Sequence, residues 1–453
     1  MFTKTKTLLT AAILAVTPLA TVAEHVQGEF DKGYFIFKSD DGNFKWKFDG
    51  RIMLDAKNIS DHEGESLIST NTDLRRARLA IKTEFYKDWA GEFDIDFKNN
   101  KTKVKDMWVS YKPFKNAEIK VGNHKPFFSI AEVTTSRWYP LMETASIADF
   151  SAPGRRVGAS FSYWQPSYFV GVSVYGEETK MNDEKDDLED TFALDTLLAW
   201  AEDFDPQDPD ALSYEEYYDE EVADKGDPEE WATASERTGY SARGVYRPII
   251  NDDATRFFHI GASVQRTSPF SVDLDYVKMK GEVHDIAFLY EKLKPWKDLH
   301  VEDINATSFE IAARFDKIYF QSEVISNDFS FVDSSYNDYT VDGFYAEASY
   351  FIIGEGRPYN LHDAEFGPVL PQGGTNLEVV IRYDEMDAND ALAGEPGDDI
   401  MGGKLTNLTF GLNWYINSNI IIRLNHSRVE TDEDAKIENA DVNITAARLE
   451  FLF

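Results

Sequence analysis

A chain of 453 residues with no cysteine and a net charge of −35 excludes disulfide scaffolding, thiolate metal sites and cysteine nucleophiles. So acidic a chain also excludes nucleic acid as a partner, because phosphate backbones need basic surfaces. The acid is uneven: residues 177–231 hold 23 Asp and Glu against three Lys.

Residues 1–23 start with Lys4 and Lys6, continue through an apolar run from Leu8 to Ala20 and end on the small-x-small sequence Thr21-Val22-Ala23. That pattern is a secretory signal peptide. It predicts a mature chain beginning near Glu24, with 24–43 as an N-terminal periplasmic segment. No later apolar run reaches the ~18 residues that a transmembrane helix needs.

From residue 44 onward the hydrophobic period is two. In 44–54, Phe44, Trp46, Phe48, Ile52 and Leu54 oppose Lys45, Lys47, Asp49, Arg51 and Met53. In 89–98, Trp89, Phe93, Ile95 and Phe97 oppose Glu92, Asp94, Asp96 and Lys98. In 405–416, Leu408, Phe410, Leu412 and Trp414 oppose Asn407, Thr409 and Asn413. Each is a strand with one apolar and one strongly polar face. Faces this polar need water. A transmembrane barrel, apolar outside and wet inside, accounts for the pattern along the whole chain.

Seventeen candidate strands emerge, of which 283–291 is set aside inside a long loop, 267–304. An all-β, antiparallel transmembrane barrel of sixteen strands over 44–453 results, because a bacterial single-chain barrel has an even count. Asp316-Lys317 and Asn417-Ser418 read as tight periplasmic turns. The long connections 56–72, 126–155, 177–237, 267–304, 328–340, 387–403 and 431–440 read as extracellular. One connection breaks the asymmetry: 354–375, rich in Gly and Pro, falls on the periplasmic side. The chain ends on a strand whose Thr445, Ala447, Leu449, Phe451 and Phe453 share a face. A terminal aromatic such as Phe453 is the address read by the outer-membrane assembly machinery. The predicted location is the cell outer membrane, with lipid and lipopolysaccharide as neighbours.

Several blocks in order carry a resemblance: D-G-R at Asp49–Arg51, L-R-R-A-R at Leu74–Arg78, K-P-F at Lys125–Phe127, T-T-S-R-W at Thr134–Trp138, E-G-R-P-Y at Glu355–Tyr359 and F-G-L-N-W-Y at Phe410–Tyr415. From about Lys47 to Phe453 the chain resembles the phosphate-selective porin O/P family. The resemblance implies a homotrimeric sixteen-stranded channel whose loop after the fifth strand, here 126–155, folds into the lumen as a constriction. It implies passive diffusion of small hydrophilic anions such as phosphate, with no cofactor, no metal and no enzymatic step.

An anion path needs cations that replace hydration yet release the ion, and the guanidinium fork suits phosphate. Alternation puts Arg76, Arg78 and Lys82 on the lumen face, with Arg51 inward from the neighbouring strand. Arg51, Arg75 and Arg76 match the positions from which the family builds its cationic wall. Within the constriction loop the candidates are Lys125, Arg137, Arg155 and Arg156. The alternative for the strand cations is pairing with lumen acids such as Glu92, Asp94 and Asp96. The chain departs from phosphate-specific members at Glu132, which stands where they place a lysine. A carboxylate there repels phosphate and favours a general or cation-preferring porin. A plugged structural or adhesive barrel is the third reading. The acidic loop 177–237 is either a divalent-cation site or a solvated loop. The eight His residues show no H-x-x-x-H or H-E-x-x-H spacing, which argues against an enzyme.

Overall fold

The computed structural model describes residues 26–31, 34–61, 69–98, 102–176, 238–268, 272–273, 282–283, 286–289, 300–332, 336–371, 373–390 and 400–453. The expected signal peptide, the acidic loop 177–237 and most of 267–304 lie outside the described residues.

Sixteen strands make the wall. They are β1 Phe44–Asp61, β2 Ser69–Phe85, β3 Trp89–Asp96, β4 Lys103–Tyr111, β5 Ala117–His124, β6 Arg156–Gln165, β7 Tyr168–Tyr175 and β8 Thr238–Ile250. They continue with β9 Arg256–Ser268, β10 His300–Phe315, β11 Ile318–Phe331, β12 Tyr339–Ile353, β13 Asn376–Asp390, β14 Ile400–Tyr415, β15 Ile420–Thr431 and β16 Asp441–Leu452. Each pairs antiparallel with its sequence neighbour, and β16 returns to β1 from Val442↔Asp61 to Leu452↔Arg51. Closure leaves the wall no free edge.

The period-two pattern sorts the side chains inside out. On β14 the outward Phe410 and Trp414 are 50% and 45% exposed, while the inward Asn407, Thr409 and Asn413 are buried. An apolar exterior around a polar interior is what a strand needs when lipid lies outside and water inside. Asp316 turns at φ 54 between β10 and β11, and Asn417-Ser418 joins β14 to β15, as the sequence predicts. The candidate at 283–291 is not a wall strand: Glu282–Val283 and Ile286–Ala287 pair only with each other.

The ring closes on the D-G-R block. Gly50 and Phe453 exchange backbone hydrogen bonds of 2.5 and 3.0 Å. A Cβ on Gly50 would meet the Phe453 ring at 2.4 Å, so only glycine lets the terminal ring lie flat there. Ahead of the wall, Val26–Asp31 and Tyr34–Ser39 form a hairpin, and its second strand pairs with Lys45–Phe48 of β1. The hairpin covers the stretch of β1 that extends past the end of β16, a strand pair that the sequence reading of 24–43 did not contain.

Inside the long-loop rim the lumen is apolar. Val301, Phe329, Tyr339, Val341, Met386, Ile400, Val429, Val442 and Ile444 pack with Phe128 and Ile147 of the 125–155 segment and with Phe288 and Leu289. That part of 267–304 therefore packs into the mouth.

Candidate functional site

The segment between β5 and β6 crosses the lumen, with helices α1 Ile130–Val133 and α2 Ser146–Phe150. Irregular backbone in a closed interior must find partners for every carbonyl and N–H. Three wall arginines, Arg357 of the connection between β12 and β13, and one wall asparagine supply them. Arg357 donates to the Trp138 carbonyl (2.6 Å), Arg423 to Tyr139 (2.8 Å), Arg448 to Met142 (2.5 Å) and Arg382 to Glu143 and Thr144 (2.9 and 3.2 Å), and Asn413 takes Pro140 (2.6 Å). Each guanidinium has a carboxylate at another edge: Glu378 for Arg357, Glu450 for Arg423, Asp55 for Arg448 and Asp384 for Arg382. Five donors in a rigid fork make this double engagement specific to arginine.

The N–H groups are met by acids. Glu323 of β11 accepts from Ser129 Oγ (2.6 Å) and the Ala131 N–H (2.8 Å) at the start of α1, and Asp384 accepts from the Ser146 N–H (3.2 Å) at α2. Wall glycines leave room for the apolar side chains of the loop. A Cβ on Gly171 would meet the Phe127 ring at 2.6 Å, one on Gly343 would meet Ile147 at 2.7 Å and one on Gly411 would meet Leu141 at 2.5 Å.

A second segment enters from the tight-turn rim: the connection 354–375. Arg357 at its start forms a two-pronged pair with Glu378 (2.7 and 2.7 Å) and bonds the Tyr415 hydroxyl. Tyr359 bridges Arg247 and His259, and Arg243 holds the carbonyls of Asp363 and Ala364 at 2.8 Å. Its tip reaches the opposite wall, where His362 sits 3.1 Å from Glu118 of β5 and 2.8 Å from Asp363. The E-G-R-P-Y block thus supplies both anchors, Arg357 and Tyr359. The Gly-Pro-rich exception on the tight-turn rim is a second lumen-filling segment.

The cations expected from the sequence collect on β1–β2 and on the facing surface of the constriction loop. Each lies beside an acid or a carbonyl. Arg51 and Arg78 share Asp94 at 3.8 Å, and Arg78 bonds Asp96 at 2.8 Å. Lys82 lies between Asp49 (3.3 Å) and Glu92 (3.1 Å). Arg137 reaches the same Asp49 at 2.6 Å, Arg155 pairs Asp106 at 2.7 Å and Arg156 bonds the Pro153 carbonyl. Strict alternation sends Arg75 and Arg76 to opposite faces. A bulge opposite Met53 and Leu54 gives β2 an extra residue there, and both reach Glu143, at 2.9 and 3.3 Å.

Glu132 is buried in α1 beneath Lys125, whose ammonium lies 3.4 Å from the carboxylate and also takes the Glu132 and Thr134 carbonyls. It offers the path no bare carboxylate. Burial pulls Lys125 below the ordinary lysine range, with Glu132 opposing the shift. Glu92, Asp94 and Asp106 bring three carboxylates within 4.8 Å of one another, and the flanking cations Lys82, Arg51, Arg78 and Arg155 account for them as ion-pair partners.

The sequence reading missed Glu143, Glu323 and the four clamp arginines. A signal existed for the arginines: Arg382, Arg423 and Arg448 fall on the polar face of otherwise apolar strands. That face names the lumen, not the contact.

Comparison with known proteins agrees with this architecture. The family described as phosphate-selective porin O and P matches residues 46–202 and 229–453. Porin O of Pseudomonas aeruginosa is 22% identical over 429 residues, covering 89% of this chain and 86% of that one. Among solved structures, a loop L8 deletion mutant of OmpT, an outer membrane protein of Vibrio cholerae, superposes with a TM-score of 0.53 at 9% identity, covering 91% of this chain and all of that one. The trimer form of in-vitro folded OmpT gives a TM-score of 0.51 at 9% identity over 91% of this chain and 100% of that one. Identities this low speak for the fold alone.

Proposed function

The chain belongs to the phosphate-selective porin O and P family, and from that premise we propose that it passes small hydrophilic anions, phosphate among them, down their concentration gradient. It is an outer-membrane porin and not an enzyme. The observation that carries anion preference is the cationic strip on β1 and β2. There Arg51, Arg75, Arg76, Arg78 and Lys82 face the constriction loop, and Lys82 is 34% exposed at its side chain. A strip of fixed positive charge beside water lowers the entry barrier for an anion, and partial exposure lets the anion leave.

A second reading has its own support. Every cation in that strip has a carboxylate within 4.0 Å, and Asp94 serves two of them. Paired charges leave a weak net field, which suits a general porin. Both readings include the trimeric assembly named for OmpT, contact with lipopolysaccharide, and insertion directed by Phe453. Reversal potential across a planar bilayer under a KCl gradient, with phosphate then added, separates them. Anion preference with block by phosphate supports the first reading. No preference and no block supports the second, and absence of conductance removes both.

A further inference from the structure

Glu143 stands where the constriction loop meets two sides of the barrel. From β2, Arg75 gives its carboxylate a two-pronged hydrogen bond (3.0 and 2.9 Å) and Arg76 reaches it at 3.3 Å. From β16, Arg448 reaches the other oxygen at 2.6 Å. Arg382 grips the Glu143 carbonyl, so the side chain is held in place from the wall behind it. Three guanidiniums converge on one carboxylate, and Asp55 engages only the Arg448 arm of the set. The cluster opens on the lumen: Arg75 and Glu143 are each 19% exposed at the side chain.

The bulge on β2 explains why this matters. Without it, Arg75 would face lipid and Glu143 would meet a single β2 arginine. With it, two adjacent positive charges enter the path together and the Glu143 carboxylate contacts both. Burial raises the Glu143 proton affinity, but Arg76, Arg75 and Arg448 outweigh it and keep the group well below the usual carboxylate range. The negative charge is therefore present at any pH the cell envelope meets.

We propose that Glu143 is a specificity-determining residue of the lumen: its charge offsets the Arg75–Arg76 pair and sets how strongly the channel prefers anions. This inference rests on the channel reading above. Glu143→Gln keeps hydrogen-bonding atoms at the same length while removing the charge, Glu143→Asp keeps the charge, and Glu143→Gln with Arg75→Gln restores the charge balance.

The test is reversal potential in a KCl gradient for the wild type and the three variants. E143Q raises the anion-to-cation permeability ratio by up to about thirtyfold, because one unit charge acting through water at about 4 Å is worth about fivefold for the anion and about fivefold in the opposite sense for the cation. E143D stays at the wild-type ratio, and the double variant returns toward it. A wild type that conducts while E143Q shows no shift overturns the inference and leaves the channel reading intact. Equal shifts in E143Q and E143D, or a double variant that stays at the E143Q value, assign Glu143 to loop packing and also overturn it. A wild type that does not conduct removes the channel reading and the inference with it.

Discussion

The two sides of the lumen have the same strand chemistry and opposite fates. On β8–β16 the inward charges are sealed: Arg243 and Glu310 are 0% exposed, and Glu378 is 0% exposed beneath Arg357 of the 354–375 connection, itself at 1%. On β1–β6 some are partly open, Lys82 at 34% exposed, Arg75 at 19% and Lys120 at 19%, while Arg51 and Asp94 are closed at 3% and 4%. The difference lies in what covers them. The backbones of the constriction loop and the 354–375 segment take up the arginines and carboxylates of the β8–β16 side, whereas the β1–β6 side meets them through side chains such as Arg137, Glu143 and His362. Inward polarity on a barrel strand therefore has two uses, and alternation along the strand cannot separate them. The β8–β16 side spends its arginines on holding loops; the β1–β6 side holds Glu143 through Arg75 and Arg76 and leaves Lys82 and Lys120 partly exposed.

The largest effect that tests this contrast comes from the clamp. Arg357→Ala leaves Glu378 buried beside Ser349, Asn413 and Tyr415 without its cation. Breaking a buried pair by removing one partner costs about 3–5 kcal/mol. The same change releases the Trp138 carbonyl, so urea unfolding of the refolded barrel shifts and single-channel conductance becomes larger and noisier. Unchanged stability with unchanged conductance would show that the sealed side is not what holds the loops.

A smaller effect is expected at the sockets. Gly343→Ala puts a Cβ 2.5 Å from the Glu385 carbonyl oxygen and 2.7 Å from Ile147 Cβ, neither of which can swing away. Overpacking of this kind costs about 1–3 kcal/mol. Accessibility of a cysteine introduced at Ser146 to a thiol reagent should rise in that background; an unaltered rate would mean that α2 does not depend on the socket.

On the open side, Arg78→Ala removes a charge, leaves Asp96 without its ion-pair partner and leaves Asp94 to Arg51 alone. The local field turns negative, so the anion-to-cation permeability ratio should fall by at most about thirtyfold, about fivefold for each ion in opposite senses from one unit charge acting through water at about 4 Å. Reversal potentials measure it. A ratio that does not move would mean that Arg78 only balances its acids.

Much of this fold is legible in the chain because a strand's faces are written locally. Phe410 and Asn413 need only their neighbours to declare lipid and lumen, and sixteen such strands leave closure as the solution. The constriction loop was legible through resemblance. What it touches was not: Arg448 and Met142 are 306 residues apart and Arg423 and Tyr139 are 284 apart, and no period in the sequence links them. The bulge that turns Arg75 inward breaks the local rule itself. Segment 354–375 showed as an anomaly of length and composition and, at Glu355–Tyr359, as a block of resemblance, but its anchors Arg357 and Tyr359 acquire meaning once Glu378, Arg247 and His259 stand across the lumen.

The point where the sealed side touches the open one supplies the mildest test. His362, at the tip of 354–375, lies against Glu118 of β5, with Trp164 at 4.2 Å between ring centroids. Burial alone would lower its proton affinity, but Asp363 and Glu118 outweigh it and raise the imidazole from 6.5 to about 10. A histidine raised in the folded protein stabilises it fully below pH 6.5, and the contribution is lost as pH rises toward 10. The tip should thus stay docked through the neutral range and loosen in alkali, while Arg357 and Tyr359 keep the rest of the segment in place. The imidazole resonance that disappears in His362→Gln should titrate near pH 10 in the wild type. A midpoint near 6.5 would mean that the tip does not engage β5, and that the two sides of the lumen are joined through the constriction loop instead.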